Sequence, residues 1–151
     1  MAEFYSHLNL TASRAKAEPF VEKWRLRQEC ILSMQAEKYS HVITTATQLI
    51  DMDHSEEDYQ QRGDAYFMQG RYESALSDYQ SALGRWKPTE PSGLNLPPAN
   101  TSELQLFPTT IYTRRADAYF RLGCYREAFK DYRLMIAMQR GLDPDLVGAS
   151  L

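Results

Sequence analysis

Histidine, cysteine and paired carboxylates are the residue types that most often do chemistry, and here they lack the spacing that chemistry requires. The three histidines, His7, His41 and His54, form no HExxH pattern and no other ligand spacing. The acidic stretch 51–54 (Asp-Met-Asp-His) could hold a weak metal site, but its composition is also typical of helix capping in a solvated loop. We therefore expect no catalytic site, no metal site, no cofactor and no enzymatic activity.

The two cysteines, Cys30 and Cys124, share no metal-ligand spacing, and no base lies near Cys30 in the sequence. Both fall within helical patterns. The sequence therefore predicts two buried free thiols, in a reducing compartment such as the cytoplasm.

A long internal repeat organises the rest of the chain. The stretch 59–83 (YQQRGDAYFMQGRYESALSDYQSAL) recurs 53 residues later at 112–136 (YTRRADAYFRLGCYREAFKDYRLMI). Eleven of the 25 aligned positions are identical: Tyr59, Arg62, Asp64, Ala65, Tyr66, Phe67, Gly70, Tyr72, Ala75, Asp78, Tyr79 and their copies, with all four tyrosines kept. A self-match of this length indicates a repeat protein.

Each repeat is predicted to be a hairpin of two helices, A and B. Apolar residues recur at steps of three and four on both sides of a central glycine, Gly70 or Gly123. Glycine readily adopts the positive φ that ends a helix and turns the chain back. We expect Gly63 to face Ala75, and their copies to do the same, so that the two helices approach closely.

The first part of the chain looks like a degenerate copy. Tyr39 precedes Tyr72 by 33 residues, and an apolar pattern predicts one helix from Pro19 to about Ala36 and a second over 39–52. Pro19 suits a first helical position, and residues 1–17 are predicted to be a loose arm or a short leading helix. The stretch 41–50 favours a strand by propensity alone, but its four-residue steps outweigh that weak preference.

Prolines interrupt the array after the second unit. The 53-residue spacing leaves room for an insertion at 87–107, which contains four prolines and is predicted to be irregular apart from one short turn near Thr101. Pro108 is predicted to open the third unit. The expected organisation is an arm at 1–17, a helical domain at 18–144 with repeats over 18–53, 55–87 and 108–141, and a tail at 145–151.

These spacings resemble the tetratricopeptide repeat (TPR) family. Its aromatic and small positions are matched in the second unit by Tyr59, Gly63, Tyr66, Gly70, Tyr72, Ala75, Tyr79 and Ala82, and six of the eight are matched in the third unit. Arg62 and Arg115 depart from the leucine usual at their position. The resemblance implies an all-α superhelix of three antiparallel hairpins, about six helices, whose A helices line a concave, peptide-binding groove.

The resemblance also assigns the groove residues by position. They are Trp24, Arg27, Ile31, Gln60, Asp64, Phe67, Thr113, Arg114, Asp117, Phe120 and Arg121. Asp64 and Asp117 each precede a phenylalanine by three residues, which would suit a ligand with a basic residue beside an apolar one. We expect these carboxylates to contribute little to the core. Alternatively, the aspartates pair locally with an arginine such as Arg62, and the phenylalanines are ordinary packing between units.

Such a protein would be an adaptor or assembly factor that binds a peptide or protein segment. A dedicated chaperone of an aggregation-prone client and a structural subunit of a larger complex remain alternatives. The clamp with which co-chaperones hold heat-shock carboxyl termini is not expected, because its five positions read Arg27, Ile31, Gln61, Thr110 and Arg114.

Composition limits the partners further. A net charge of −3 gives no basic footprint for nucleic acid. No run of 18 apolar residues exists, so membrane insertion is not expected. No further helix is predicted after the third unit. The apolar side of its second helix is therefore expected to be partly uncovered. Either the tail folds back over it, or a second copy in a homo-oligomer or a larger complex covers it.

Overall fold

Six α-helices make up the described part of the protein. The computed structural model describes the backbone of residues 2–85 and 101–140, and the side chains of residues 17–85 and 108–140. The helices are α1 (Ala2–Gln35), α2 (Tyr39–Asp53), α3 (Glu56–Met68), α4 (Tyr72–Arg85), α5 (Thr101–Arg121) and α6 (Tyr125–Gln139). The described ranges contain no strand, so the predicted all-α class is confirmed. Most of the predicted insertion and the predicted tail lie outside these ranges.

The helices pack in the order of the sequence. α1 lies against α2, α3 against α4 and α5 against α6, and the hairpins join through α2 with α3 and α4 with α5. Only three residues separate the two helices of each hairpin, which makes them antiparallel neighbours. We call α1, α3 and α5 the A helices, and α2, α4 and α6 the B helices.

All three hairpins turn in the same way. Gly70 and Gly123 have φ of 75° and 77°, and Glu37 takes the same place in the first hairpin with φ of 56°. The amide that follows each of them donates a 2.9 Å hydrogen bond to a carbonyl five residues earlier, as Arg71 does to Tyr66. This left-handed turn caps the last carbonyls of each A helix. The first pair is therefore a helix hairpin of the same geometry, although it lacks the glycine.

Two apolar clusters hold the array together. One joins Cys30, Val42, Ala46 and Ala65 of α1 to α3, and the other joins Ile50, Tyr59, Ala75, Tyr79, Ala82, Ile111 and Ala118 of α2 to α5. A Cβ on Gly63 would lie 2.8 Å from the Tyr79 ring and 3.3 Å from Asp78 Cβ. Its closest neighbours are therefore on Tyr79 and Asp78, one turn beyond the predicted Ala75. The prediction of close approach is confirmed, and the nearest atoms belong to Tyr79 and Asp78, ahead of the predicted Ala75.

Two helices begin before the prolines at which the sequence predicted their starts. α1 starts at Ala2 and contains Pro19, so Pro19 is not a first helical position and residues 2–17 continue the helix. α5 starts at Thr101 and contains Pro108, so the last part of the predicted insertion is helical. A proline inside a helix removes one N–H···O=C bond, which the neighbouring turns can offset. The prolines therefore mark interruptions of the hydrogen-bond ladder and do not mark helix starts.

Candidate functional site

Polar side chains connect the three A helices. Arg27 of α1 donates a 3.3 Å hydrogen bond to Ser55 Oγ and lies 3.5 Å from Asp58 Oδ2, at the start of α3. Arg114 Nε of α5 lies 3.7 Å from Asp64 Oδ1 of α3. Both arginines were predicted as ligand-binding residues. The structure shows that each also joins two neighbouring A helices.

Exposed apolar side chains lie on all three A helices. The exposed fractions are 61% for Trp24, 42% for Ile31, 54% for Met68 and 56% for Phe120. Large apolar side chains are usually buried, so an exposed set is informative, and the B helix α6 carries a second such set in Phe129 and Ile136. Phe67 differs, because it is half-buried and packs against the larger apolar cluster.

The two predicted carboxylates bind tyrosines of their own hairpins. The Tyr79 hydroxyl donates a 2.7 Å hydrogen bond to Asp64 Oδ1, and the Tyr132 hydroxyl donates a 2.5 Å hydrogen bond to Asp117 Oδ1. Tyr79 is fully buried. Asp64 and Asp117 therefore help to fix each B helix against its A helix, which corrects the expectation that they contribute little to the core.

The same contacts shift the pKa values of these groups. Burial raises the pKa of the Asp64 carboxyl, while the bond from Tyr79 and the charge of Arg114 oppose that rise. The bond to Asp117, with some burial, raises the pKa of Tyr132 to about 12. The phenol is therefore the hydrogen-bond donor at neutral pH, and the carboxylate is the acceptor.

The predicted phenylalanines share a local contact. Phe67 meets Tyr72 edge to face with ring centroids 5.3 Å apart, and Phe120 meets Tyr125 in the same way at 5.3 Å. Each contact spans the turn of its hairpin. Phe67 thus packs within its own hairpin and against the larger apolar cluster, whereas Phe120 combines the same intra-hairpin contact with a largely exposed ring.

Three other predicted ligand-binding residues, Gln60, Thr113 and Arg121, also lie on the A helices α3 and α5. Gln60 is half-buried and Arg121 is exposed. The hydroxyl of Thr113 donates a 2.9 Å bond to the Thr109 carbonyl of its own helix, so it is already engaged.

A repeated arginine–aspartate pair was not predicted. Arg62 Nε and Nη2 donate two 2.8 Å bonds to Asp78, and Arg115 donates bonds of 2.6 and 2.7 Å to Asp131. Both aspartates are buried. The signal was present in the sequence, because arginine and aspartate recur 16 residues apart in both units. The competing prediction that Arg62 pairs with Asp64 is wrong, because its partner is Asp78.

Asp58 was also not predicted. It is fully buried, and neither carboxylate oxygen has a hydrogen-bond partner among the described residues. Burial raises the pKa of its carboxyl, and the charge of Arg27 opposes the rise. Repeat alignment could have drawn attention to it, because the equivalent position in the third unit is Ile111, an apolar residue.

The acidic stretch at the end of α2 lines an open polar depression. Its lining residues are Asp53, His54, Ser55, Glu56, Gly84 and Arg85. Asp53 is paired with Lys23, and Arg85 Nη2 donates a 3.3 Å bond to the Tyr59 hydroxyl. Within the described residues, no three histidine, cysteine or acidic side chains are grouped so as to hold a metal ion. This depression gives no support to the weak metal site.

The cysteines differ from each other in burial. Cys30 is buried, and burial, with the charges of Asp58 and Glu29, raises the pKa of its thiol to about 11. A thiol of this kind stays protonated at neutral pH and is a poor nucleophile. Cys124 is exposed, because it follows Gly123 in the turn before α6. The prediction of a buried thiol is therefore confirmed for Cys30 and wrong for Cys124.

Comparison of the chain with models of known protein families and with curated proteins gives no match. The architecture is that of stacked helix pairs, which is consistent with helical repeats. No helix in the described part of the chain has both the length and the apolar character needed to cross a membrane.

Proposed function

We propose that this chain is a helical repeat protein of the TPR type that binds a peptide or protein segment across its A helices. One observation carries the proposal: exposed apolar side chains on α1, α3 and α5 accompany two carboxylates at equivalent positions of α3 and α5. Apolar anchors with a few placed polar groups are typical of peptide-binding surfaces.

The chemistry of the surface selects a class of ligand. Asp64 and Asp117 are anchored through Oδ1 by tyrosine hydroxyls, which orients the carboxylates before any ligand arrives. Trp24, Ile31 and Phe120 offer apolar contact area on the outer A helices. A segment that combines lysine or arginine with a bulky apolar residue matches both features.

Selection from a random peptide library on the immobilised full-length protein tests this proposal. The selected peptides are expected to be enriched in a basic residue close to a bulky apolar residue. Peptides without basic residues, or the recovery of no binding peptide, would contradict the proposal.

A charge-neutral double variant then locates the binding surface. Asp64→Asn with Asp117→Asn keeps an acceptor for each tyrosine but removes the charge, and is expected to weaken binding of the selected peptide about tenfold, or about 1.4 kcal/mol. Charge reversal to lysine is unsuitable, because it would leave the buried Tyr79 hydroxyl without its acceptor. Glu73→Gln with Glu127→Gln removes two exposed carboxylates of the B helices and should leave the affinity unchanged.

A further inference from the structure

The outer face of α6 carries exposed apolar residues at positions that are covered in α4. Phe129 and Ile136 are 59% and 43% exposed. Their equivalents in α4, 53 residues earlier, are Leu76 and Leu83, which pack on the cluster that includes Ile111 of α5. The position is apolar in both helices, but among the described residues only α4 has a following A helix to cover it.

The outer face of α1 also carries apolar side chains that no other helix covers among the described residues. Leu32 is 63% exposed. Its equivalent in α3 is Ala65, 33 residues later, and the equivalent in α5 is Ala118, a further 53 residues later. Both alanines are fully buried against the preceding B helix. Val21, one turn before Arg25 and three turns before Leu32 on the same side, is 60% exposed. Among the described residues, α1 lacks a preceding B helix just as α6 lacks a following A helix.

Charge distinguishes the two end faces. Arg126, Arg133 and Arg140 follow one another at seven-residue steps beside Phe129 and Ile136, so they lie along one edge of the apolar stripe. The equivalent positions 53 residues earlier are Glu73, Gln80 and Lys87, so only the third is basic there, and the full row of three arginines belongs to α6 and its C-cap Arg140.

The α1 face carries carboxylates as well as cations. Glu22 and Glu29 lie at a seven-residue step beside Leu32 and both bind Arg25. Glu29 also contacts His41, and Lys38 lines the depression beside Leu32. One end face is therefore apolar with a row of arginines, and the other is apolar with mixed charge, whose two glutamates can pair with those arginines.

We propose that α6 of one copy packs against α1 of the next copy, so that the array continues head to tail through the same B-to-A contact that joins its own hairpins. Such an interface is heterologous, because each copy contributes a different face to each contact, and it does not close after two copies. The occupant of each end face is a second copy of this chain. This assembly uses faces other than the proposed peptide-binding surface.

Two blocked variants of the full-length chain test the arrangement. Phe129→Asp with Ile136→Asp blocks the α6 face, and Val21→Lys with Leu32→Lys blocks the α1 face. All four side chains are more than two-fifths exposed, and circular dichroism checks that each variant folds. Mass is measured by analytical ultracentrifugation as protein concentration is raised.

The wild type is expected to gain mass continuously with concentration, while each variant alone stays monomeric. An equimolar mixture of the two variants should form a species of twice the monomer mass and stop there, because each copy keeps one working face. Met52→Lys, at an exposed position of α2, should associate as the wild type does.

Three outcomes would overturn the proposal. A wild type that stays monomeric at every concentration would show that no second copy occupies these faces. Self-association of the variant blocked at α1 would show that α6 contacts α6, and a mixture that stays monomeric would show that the two faces do not bind each other.

Discussion

Arg62 binds both carboxylate oxygens of Asp78 across the second hairpin, and Arg115 binds Asp131 in the same way across the third. Each guanidinium also lies over the ring of a tyrosine three residues earlier, at 5.6 Å from Tyr59 in the second unit. Such bidentate pairs are geometrically demanding. They explain why arginine and aspartate recur 16 residues apart in both units.

Removing one member of the Arg62–Asp78 pair should lower the free energy of unfolding more than removing both. Arg62→Leu leaves the buried Asp78 carboxylate without its cation, so we expect a loss of about 3 kcal/mol in the free energy of unfolding. Arg62→Leu with Asp78→Leu replaces the pair by apolar contact and should recover most of that loss. Urea unfolding of the two single variants and the double variant measures the coupling. Additive losses would mean that the pair contributes no interaction energy.

Much of the fold was readable from the sequence because it depends on periodic features. Tyrosine spacing, apolar steps of three and four and the glycines at 70 and 123 predicted three hairpins with left-handed turns. The helix starts were not predicted. Pro19 and Pro108 were interpreted as first helical positions, since sequence alone does not show whether a turn before a proline is stable enough to extend the helix.

The candidate site was less predictable, because its contacts lie between helices. The repeated Asp64 was visible, but its partner Tyr79 depends on how far the two helices are offset along their axes. The same offset brings Tyr79 and Asp78, and not Ala75, closest to Gly63. Helix periodicity fixes which residues share a face, whereas the register between two helices follows from side-chain packing.

Two helical glycines should respond oppositely to the same substitution. Gly63→Ala places a Cβ 2.8 Å from the buried Tyr79 ring, which its bond to Asp64 restrains, so we expect a loss of about 1–3 kcal/mol. Gly84→Ala meets no atom within 4 Å and should gain up to about 1 kcal/mol from helix propensity. Thermal melts compare them. An unchanged midpoint for Gly63→Ala would show that the ring can move aside.

A glycine at the turn of the first hairpin should stabilise the protein. Glu37 has φ of 56°, a conformation that costs most residues on the order of 1 kcal/mol. Glu37→Gly removes that strain and should raise the melting temperature. Gly70→Ala, which introduces the same strain in the second hairpin, should lower it. A lower melting temperature for Glu37→Gly would indicate that the glutamate side chain stabilises the turn.

The buried Asp58 should make the protein less stable as pH rises through the pKa of this carboxyl. Burial raises that pKa in the folded state above its unfolded value. The folded state therefore binds the proton more tightly, and the stability contributed by this proton is present at low pH and lost as pH rises. This acid behaves oppositely to a salt-bridged carboxylate, whose contribution is lost on acidification.

Asp58→Asn removes the titration and should be more stable than the wild type at neutral pH, by on the order of 1 kcal/mol, because no buried carboxylate is left without hydrogen bonds. The advantage should shrink as pH falls through the raised pKa, since the wild-type carboxyl is then neutral as well. Glu57→Gln, which removes an exposed acid from the same first turn of α3, weakens the interaction with the helix dipole but keeps an acceptor for the Ser55 hydroxyl, and should be slightly destabilising. Melting temperatures measured from acidic to neutral pH compare the three proteins. A destabilised Asp58→Asn at neutral pH would mean that Arg27 and the start of α3 hold the carboxylate more strongly than burial disfavours it.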